Sequence, residues 1–182
     1  GLNITILNTN RAPQIFSITT NSPAKEGGIL TIDVNASDPD GEELEYGISS
    51  QFFDVNGNLF MWGTDYNSAG KYTFTVTVSD GNLTTALDVN VEITNVDRAP
   101  VIHAISVNSP AKEGETVIVD VNAFDPDNDT LIYTINSGMF DVNGSTFTWK
   151  TDYNSSGDYN FMITVSDGDL NATYDMNATV RN

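Results

Sequence analysis

Lys71-Tyr72-Thr73-Phe74-Thr75-Val76-Thr77-Val78 sets Tyr72, Phe74, Val76 and Val78 at alternate positions, with Lys71 and three threonines between them. A period of two sends successive side chains to opposite faces of an extended chain, so the stretch reads as a strand with one buried and one solvated face. The pattern returns at Asp158-Tyr159-Asn160-Phe161-Met162-Ile163-Thr164-Val165, 87 residues later. That offset holds along the whole chain. Arg11-Ala12-Pro13 recurs as Arg98-Ala99-Pro100, Ser22 to Gly27 as Ser109 to Gly114, Asp33 to Ala36 as Asp120 to Ala123, and Thr77 to Gly81 as Thr164 to Gly168. No gap is needed, and about half of the aligned positions are identical. Self-similarity at this length signals a tandem array in which each unit folds on its own core.

The repeats run over residues 10–96 and 97–182. Asn3 to Leu7 align with Asn90 to Thr94, the segment that closes the first repeat. Residues 1–9 therefore read as an orphan strand, belonging to a preceding repeat or donated to a neighbour.

Other segments alternate in the same way: Leu30, Ile32, Val34 and Ala36, then Leu44, Tyr46 and Ile48, then Leu87, Val89, Val91 and Ile93. Tyr174 to Val180 closes the second repeat. Asn56-Gly57 and Asn143-Gly144, each between two phenylalanines, predict hairpins centred on Asn-Gly, where a type I′ turn needs positive φ at both central residues. Strands near Ile15, Leu30, Leu44, Phe53, Phe60, Tyr72 and Val89 give about seven per repeat, with no helical period anywhere. The expected fold is all-β: two tandem immunoglobulin-like β-sandwich domains. Tyr72 and Tyr159, each two residues after a glycine, read as tyrosine corners or as ordinary core tyrosines. Trp62 and Trp149 read as core plugs.

Among the 182 residues, Lys and Arg total 7 against 25 Asp and Glu, a formal charge of −18. Nucleic acid and anionic membrane repel such a surface, so neither is expected as a partner. With no cysteine there is no disulfide, thiolate metal site or thiol nucleophile. No apolar run approaches the roughly 18 residues of a membrane-spanning helix. Asn-x-Ser/Thr triplets begin at Asn3, Asn35, Asn82, Asn128, Asn143, Asn154, Asn171 and Asn177, a hint of a secreted, glycosylated surface.

Asp38-Pro39-Asp40-Gly41-Glu42-Glu43 and Asp125-Pro126-Asp127-Asn128-Asp129 fall between the second and third expected strands. If extended, each would aim residues i and i+2 the same way and offer two carboxylates to one hard cation. Calcium takes 6–8 oxygens, so further ligands must converge from elsewhere. The same residues also make an ordinary turn, because aspartate bonds its own backbone and proline presets φ.

On these motifs the chain resembles cadherin-like repeats, including the dystroglycan-type and bacterial or archaeal immunoglobulin-like relatives. Asp38-x-Asp40 and Asp125-x-Asp127 are similar to the family's Asp-x-Asp calcium motif, and Asp80 and Asp167 to its later single aspartate. Glu26 and Glu113 resemble its early glutamate, Asp65-Tyr66 and Asp152-Tyr153 its Asp-x-Glu motif, and Asn95 to Pro100 its acidic linker. The resemblance implies calcium as cofactor, held between consecutive domains by Glu26, Asp65, Asp97, Asp125, Asp127 and Asp167. It also implies two half-sites, one of Asp38, Asp40 and Asp80 and one of Glu113 and Asp152. Asn67 and Asn154 stand where the family has glutamate, and Val96 and Arg98 replace linker residues, which implies fewer ions and weaker binding.

An EF-hand reading of Asp54 to Asp65 fails, because Leu59 stands where the loop needs glycine and no helices flank it. His103 is the sole histidine, and the first repeat has none, so no Ser-His-Asp constellation can be assembled there. The expectation is a non-enzymatic extracellular module, structural or adhesive, on a cell-surface protein, whose partners are neighbouring repeats or copies of itself, a surface protein or a glycan. Two other readings differ in class. One is a filament subunit that assembles through Leu2, Ile4 and Ile6 of the first strand. The other is a carbohydrate-binding accessory module that uses Phe52, Trp62 and Tyr66.

Overall fold

A computed structural model describes residues 1–4 and 9–182. The strand expected over Asn3 to Leu7 falls largely on the four residues outside that description. The chain divides into two units, Gly1–Val96 and Asp97–Asn182.

In the first unit the strands are β1 (Gln14–Thr20), β2 (Ala24–Lys25), β3 (Ile29–Ser37), β4 (Glu45–Ile48), β5 (Asp54–Asn56), β6 (Leu59–Gly63), β7 (Gly70–Ser79) and β8 (Thr84–Thr94). They form two four-stranded sheets, ordered β1-β3-β6-β5 and β2-β8-β7-β4. Pairing is antiparallel except where β2 runs parallel to the end of β8, with Ala24 opposite Ile93. The second unit repeats this with β9 (Val101–Val107), β10 (Ala111–Lys112), β11 (Thr116–Phe124), β12 (Ile132–Ile135), β13 (Asp141–Asn143), β14 (Thr146–Lys150), β15 (Gly157–Ser166) and β16 (Asn171–Arg181). This is the two-sheet arrangement of an immunoglobulin-like sandwich. The two-residue strands β2 and β10 are too short to show a period, and the sequence reading passed over them.

The alternating residues make the core. Leu30, Ile32 and Val34 of β3 meet Phe60 and Trp62 of β6 and, from the facing sheet, Phe74, Val76 and Val78 of β7 with Val91 and Ile93 of β8. Val117, Val119, Phe147, Trp149, Phe161, Ile163 and Val165 do the same in the second unit. Leu87 departs from the expected pattern, remaining half exposed although it shares a face with Val91. It lies on the stretch of β8 that β2 does not reach, so it is paired on its β7 side, with Val76, and has no β2 residue on the other.

The hairpins form where expected, but their turns are centred one residue later. Asn56 pairs with Leu59 inside the ladder, leaving Gly57-Asn58 as the two-residue loop, with Gly57 at φ 59°. Positive φ at the first central residue alone is the type II′ pattern, not I′. Asn58 is held instead by its side chain, whose Nδ2 donates to Asp33 Oδ1 and to the Val34 carbonyl.

Tyr72 donates its hydroxyl hydrogen to the Ser68 carbonyl at 2.8 Å, and Tyr159 to that of Ser155 at 3.0 Å. These are tyrosine corners. Tyr72→Phe keeps the ring against Trp62 and loses only this bond, so it is expected to cost about 1 kcal/mol, read as a lower urea midpoint with an unchanged m-value.

Candidate metal centre at one end of each repeat

Asp38 follows the last residue of β3 and shapes the loop that crosses from one sheet to the other. Its Oδ1 accepts the Asp40 N–H at 2.6 Å, and its carbonyl accepts the Gly41 N–H, closing a turn in which Gly41 takes φ 83°. Asp125 does the same for Asp127 N–H at 2.7 Å and Asn128 N–H, and Asn128 takes φ 66°. Asparagine tolerates that left-handed conformation better than most residues, which explains its exchange with glycine between the copies. The motif is therefore a turn built through one oxygen of its first aspartate. The other oxygen, Oδ2 of Asp38 and of Asp125, is buried and accepts nothing.

The second aspartate of each motif faces arginine. Asp40 accepts the Arg11 backbone N–H at 2.8 Å and the Arg11 guanidinium at 2.6 Å, while the same guanidinium donates to the Pro39 carbonyl. Asp127 accepts the Arg98 N–H at 2.8 Å and its guanidinium at 2.5 Å. The guanidinium bonds hold Asp127 below the usual carboxylate range. A turn in place of extended chain is why residues i and i+2 part company: one points inward and the other meets a cation the protein supplies itself.

Asp80 and Asp167 follow the penultimate strand of each unit, in the loops to β8 and β16. Asp80 Oδ1 accepts the Leu83 and Asn82 N–H groups, and Asp167 Oδ1 those of Leu170 and Asp169. Asn10 donates its amide to Asp80 Oδ2 at 3.0 Å. The Leu83 N–H, and after it those of Asn82 and the Asn10 side chain, lower the Asp80 pKa. Asp167 Oδ2 is buried without a partner, as is Asn10 Oδ1.

Three residues that the sequence alone did not assign complete these ends: Asn10, Glu42 and Asp129. Glu42 brings a carboxylate oxygen to Asp38 and Asp80, the three lying within 4.8 Å of one another. Partial desolvation first, and then the charges of Asp80, Asp38 and Asp40, raise its pKa. Asp129 is the Glu42 equivalent, and Asp97 the Asn10 equivalent, at the same offset of 87 residues. Asp97 is also raised, by desolvation and then by Asp167, Asp129, Asp169 and Asp127. The alignment of Asn10 with Asp97 was the available signal for Asn10. Glu42 follows Asp38 by four residues, and only the turn geometry brings it back.

Glu26 and Asp65 lie at the opposite end of the first unit. Glu26 is buried and accepts the Ala69 and Val96 N–H groups, one on each oxygen, at 2.6 and 3.3 Å. Ala69 precedes β7 and Asp80 follows it, so the ten residues of that strand put about 30 Å between the two ends. Asp65 is exposed and caps its own loop through Ser68 Oγ and the Asn67 N–H, which lower its pKa. Glu113 accepts the Ser156 N–H, and Asp152 those of Asn154 and the Ser155 hydroxyl.

Trp62 and Trp149 are both 7% exposed and packed edge-on against Tyr72 and Tyr159. Phe52 stacks on Trp62 at 4.8 Å from the solvent side, and its counterpart in the second repeat is Met139. His103 is an exposed residue of β9. Shallow hollows on the strand faces, such as those at Lys71–Glu92 and Asn160–Asp175, hold no more than one carboxylate each. Among the described residues no helix is long and apolar enough to cross a membrane.

Comparison with known proteins agrees with this architecture. Chitinase A of Pseudoalteromonas piscicida is 29% identical over 132 residues, which cover 69% of this chain and 16% of the chitinase. Immunoglobulin domains 1–4 of Sidekick-1 superpose with a TM-score of 0.51 at 13% identity, over 93% of this chain and 49% of that one. An endo-fucoidan hydrolase of glycoside hydrolase family 107 gives a TM-score of 0.44 at 17% identity, over 93% of this chain and 29% of the hydrolase. The chain thus spans only a minor part of the curated relative it matches. The bacterial Ig domain model matches twice, over residues 10–94 and 97–180. With both repeats covered almost end to end, the chain belongs to the bacterial Ig domain family, as two tandem members.

Proposed function

We propose that this chain is a non-enzymatic structural segment of an extracellular, cell-surface protein, and that each repeat takes up calcium where Asp38 or Asp125 meets the loop after the penultimate strand. The observation that carries the reading is the set of buried oxygens without partners: Asn10 Oδ1, Asp38 Oδ2, Asp125 Oδ2 and Asp167 Oδ2. A polar oxygen shut away from water and from donors is costly, and a hard cation relieves that cost by direct coordination.

The donor set suits calcium: it consists of oxygens only, most of them carboxylate, and water would complete the 6–8 ligands. Asn10, Asp38, Glu42 and Asp80 would hold the ion in the first repeat, and Asp97, Asp125, Asp129 and Asp167 in the second. Bound there, calcium draws the segment ahead of β1 or β9 onto the sandwich and stiffens it. An outer surface fits the same reading, because the asparagine of every Asn-x-Ser/Thr triplet is exposed.

Calcium in hundredfold excess over its dissociation constant would stabilise a repeat by about 2.7 kcal/mol. For a domain of this size the expected rise in melting temperature is about 10–20 °C. Calorimetric titration and thermal melts in calcium and in chelator test this. No heat at millimolar calcium together with superimposable melts would sink the proposal.

A further inference from the structure

The two ends are not equivalent, and this chain carries both versions side by side. Four positions correspond at the 87-residue offset: Asn10 with Asp97, Asp38 with Asp125, Glu42 with Asp129, and Asp80 with Asp167. Three of the pairs conserve charge. At the fourth, a neutral amide faces a carboxylate.

The amide changes more than charge. Asn10 Nδ2 donates to Asp80 Oδ2, so the ion-free first repeat already satisfies the oxygen that in the second repeat, on Asp167, is left buried and unpartnered. To coordinate a cation through Asp80 Oδ2, the first repeat must give up that bond or turn the amide around. The second repeat has no such bond to lose. Two of its carboxylate oxygens, on Asp125 and Asp167, lack any partner, against one in the first repeat, on Asp38.

Asp169 adds a further carboxylate to the loop where the first repeat has Asn82. One factor opposes these. Glu42 is longer than Asp129 by one methylene and closes the 4.8 Å triad with Asp38 and Asp80, a triad found in the first repeat only among the described residues. Like charges spread when nothing lies between them and contract around a cation, so the wider set loses less on binding than its ion-free spacing suggests. Affinity in all-oxygen calcium sites follows the number of charged ligands, and on that count the second repeat leads.

We infer that the two repeats bind divalent cations with unequal affinity, the second the more tightly, and that the exchange of Asn10 for Asp97 sets the difference. The inference rests on the calcium reading of these ends given above. It makes loading stepwise: over a window of calcium concentration only the second repeat is filled.

The test is a calorimetric titration of calcium chloride into the chelator-stripped full chain, alongside Asn10→Asp and Asp97→Asn. Amide NMR signals of Gly81 and Gly168, which sit in the two loops, report which repeat fills. Melts in chelator check that each variant is folded, and neither substitution touches a core residue. The unmodified chain is expected to show two classes of site about tenfold or more apart, with Gly168 responding first. Asp97→Asn should carry the tight class into the range of the weak one, and Asn10→Asp should tighten the weak class by about tenfold. Two equal sites, Gly81 responding first, or both constants unmoved by both substitutions would overturn the inference while leaving the calcium reading intact. Absence of heat in all three proteins would overturn the calcium reading itself, and the inference with it.

Discussion

Phe147→Ala lowers the melting temperature of the second repeat by about 20 °C, the largest single effect expected in this chain. Phe147 is fully buried, pairs with Val119 across β11 and β14, and is among the largest of the residues with no exposure at all. Truncation removes most of a ring from a close-packed interior and leaves a cavity that β-strands, fixed by their ladders, close poorly. Phe→Ala changes at such sites cost about 3–5 kcal/mol. The core of the first repeat contains none of the residues that Phe147 packs with. Differential scanning calorimetry should therefore show the second repeat melting early while the first keeps its transition. If both transitions moved together by the full amount, the two cores would not be independent folding units.

Glu26→Ala comes next, with an expected loss of about 3 kcal/mol from the first repeat. Glu26 is 5% exposed, and each of its carboxylate oxygens accepts one backbone N–H, from Ala69 and from Val96. Alanine leaves both partly buried donors without their acceptor, and bonds to a charged acceptor are worth more than neutral ones. The equivalent Glu113 is half-buried, so Glu113→Ala should cost less, about 1–2 kcal/mol. Urea unfolding in chelator and again in millimolar calcium measures both. The experiment also separates two roles for Glu26. A structural brace loses stability whether or not calcium is present, whereas a ligand, as the cadherin resemblance implies, loses it only in calcium.

The fold was legible because it is written in a pattern that depends on nothing distant. Leu30, Ile32 and Val34, or Phe74, Val76 and Val78, declare a buried face from spacing alone, and duplication states it twice. What the pattern could not carry was local competition. The Asn56-Gly57 and Asn143-Gly144 pairs point to one turn, yet the ladders close at Asn56–Leu59 and Asn143–Thr146 and centre both turns a residue later, whether Asn58 or Ser145 follows the glycine. Strand edges were equally hidden: Leu87 alternates correctly and is half exposed, because burial depends on which neighbour strand reaches it.

The acidic residues were legible as a group and less so as individuals. Asp38 and Asp80 do converge in the first repeat, with Glu42 between them, whereas Asp40 and Asp127 turn to arginine. An aspartate two residues from another looks identical in sequence whether the chain between them is extended or turned. Glu42 joins the group only through a turn stabilised at Gly41.

Arg11 and Arg98 stand just ahead of the first strand of each repeat, each fastened to an aspartate of the β3–β4 or β11–β12 loop by backbone and side chain together. That position has a mechanical meaning. A pull arriving from the amino-terminal side meets this clamp before it reaches β1 or β9, and neither strand can be peeled from its sheet until the clamp lets go. The guanidinium and its aspartate thus act as the strain relief on a cable, taking the tug at the point of entry so that the ladder behind it does not.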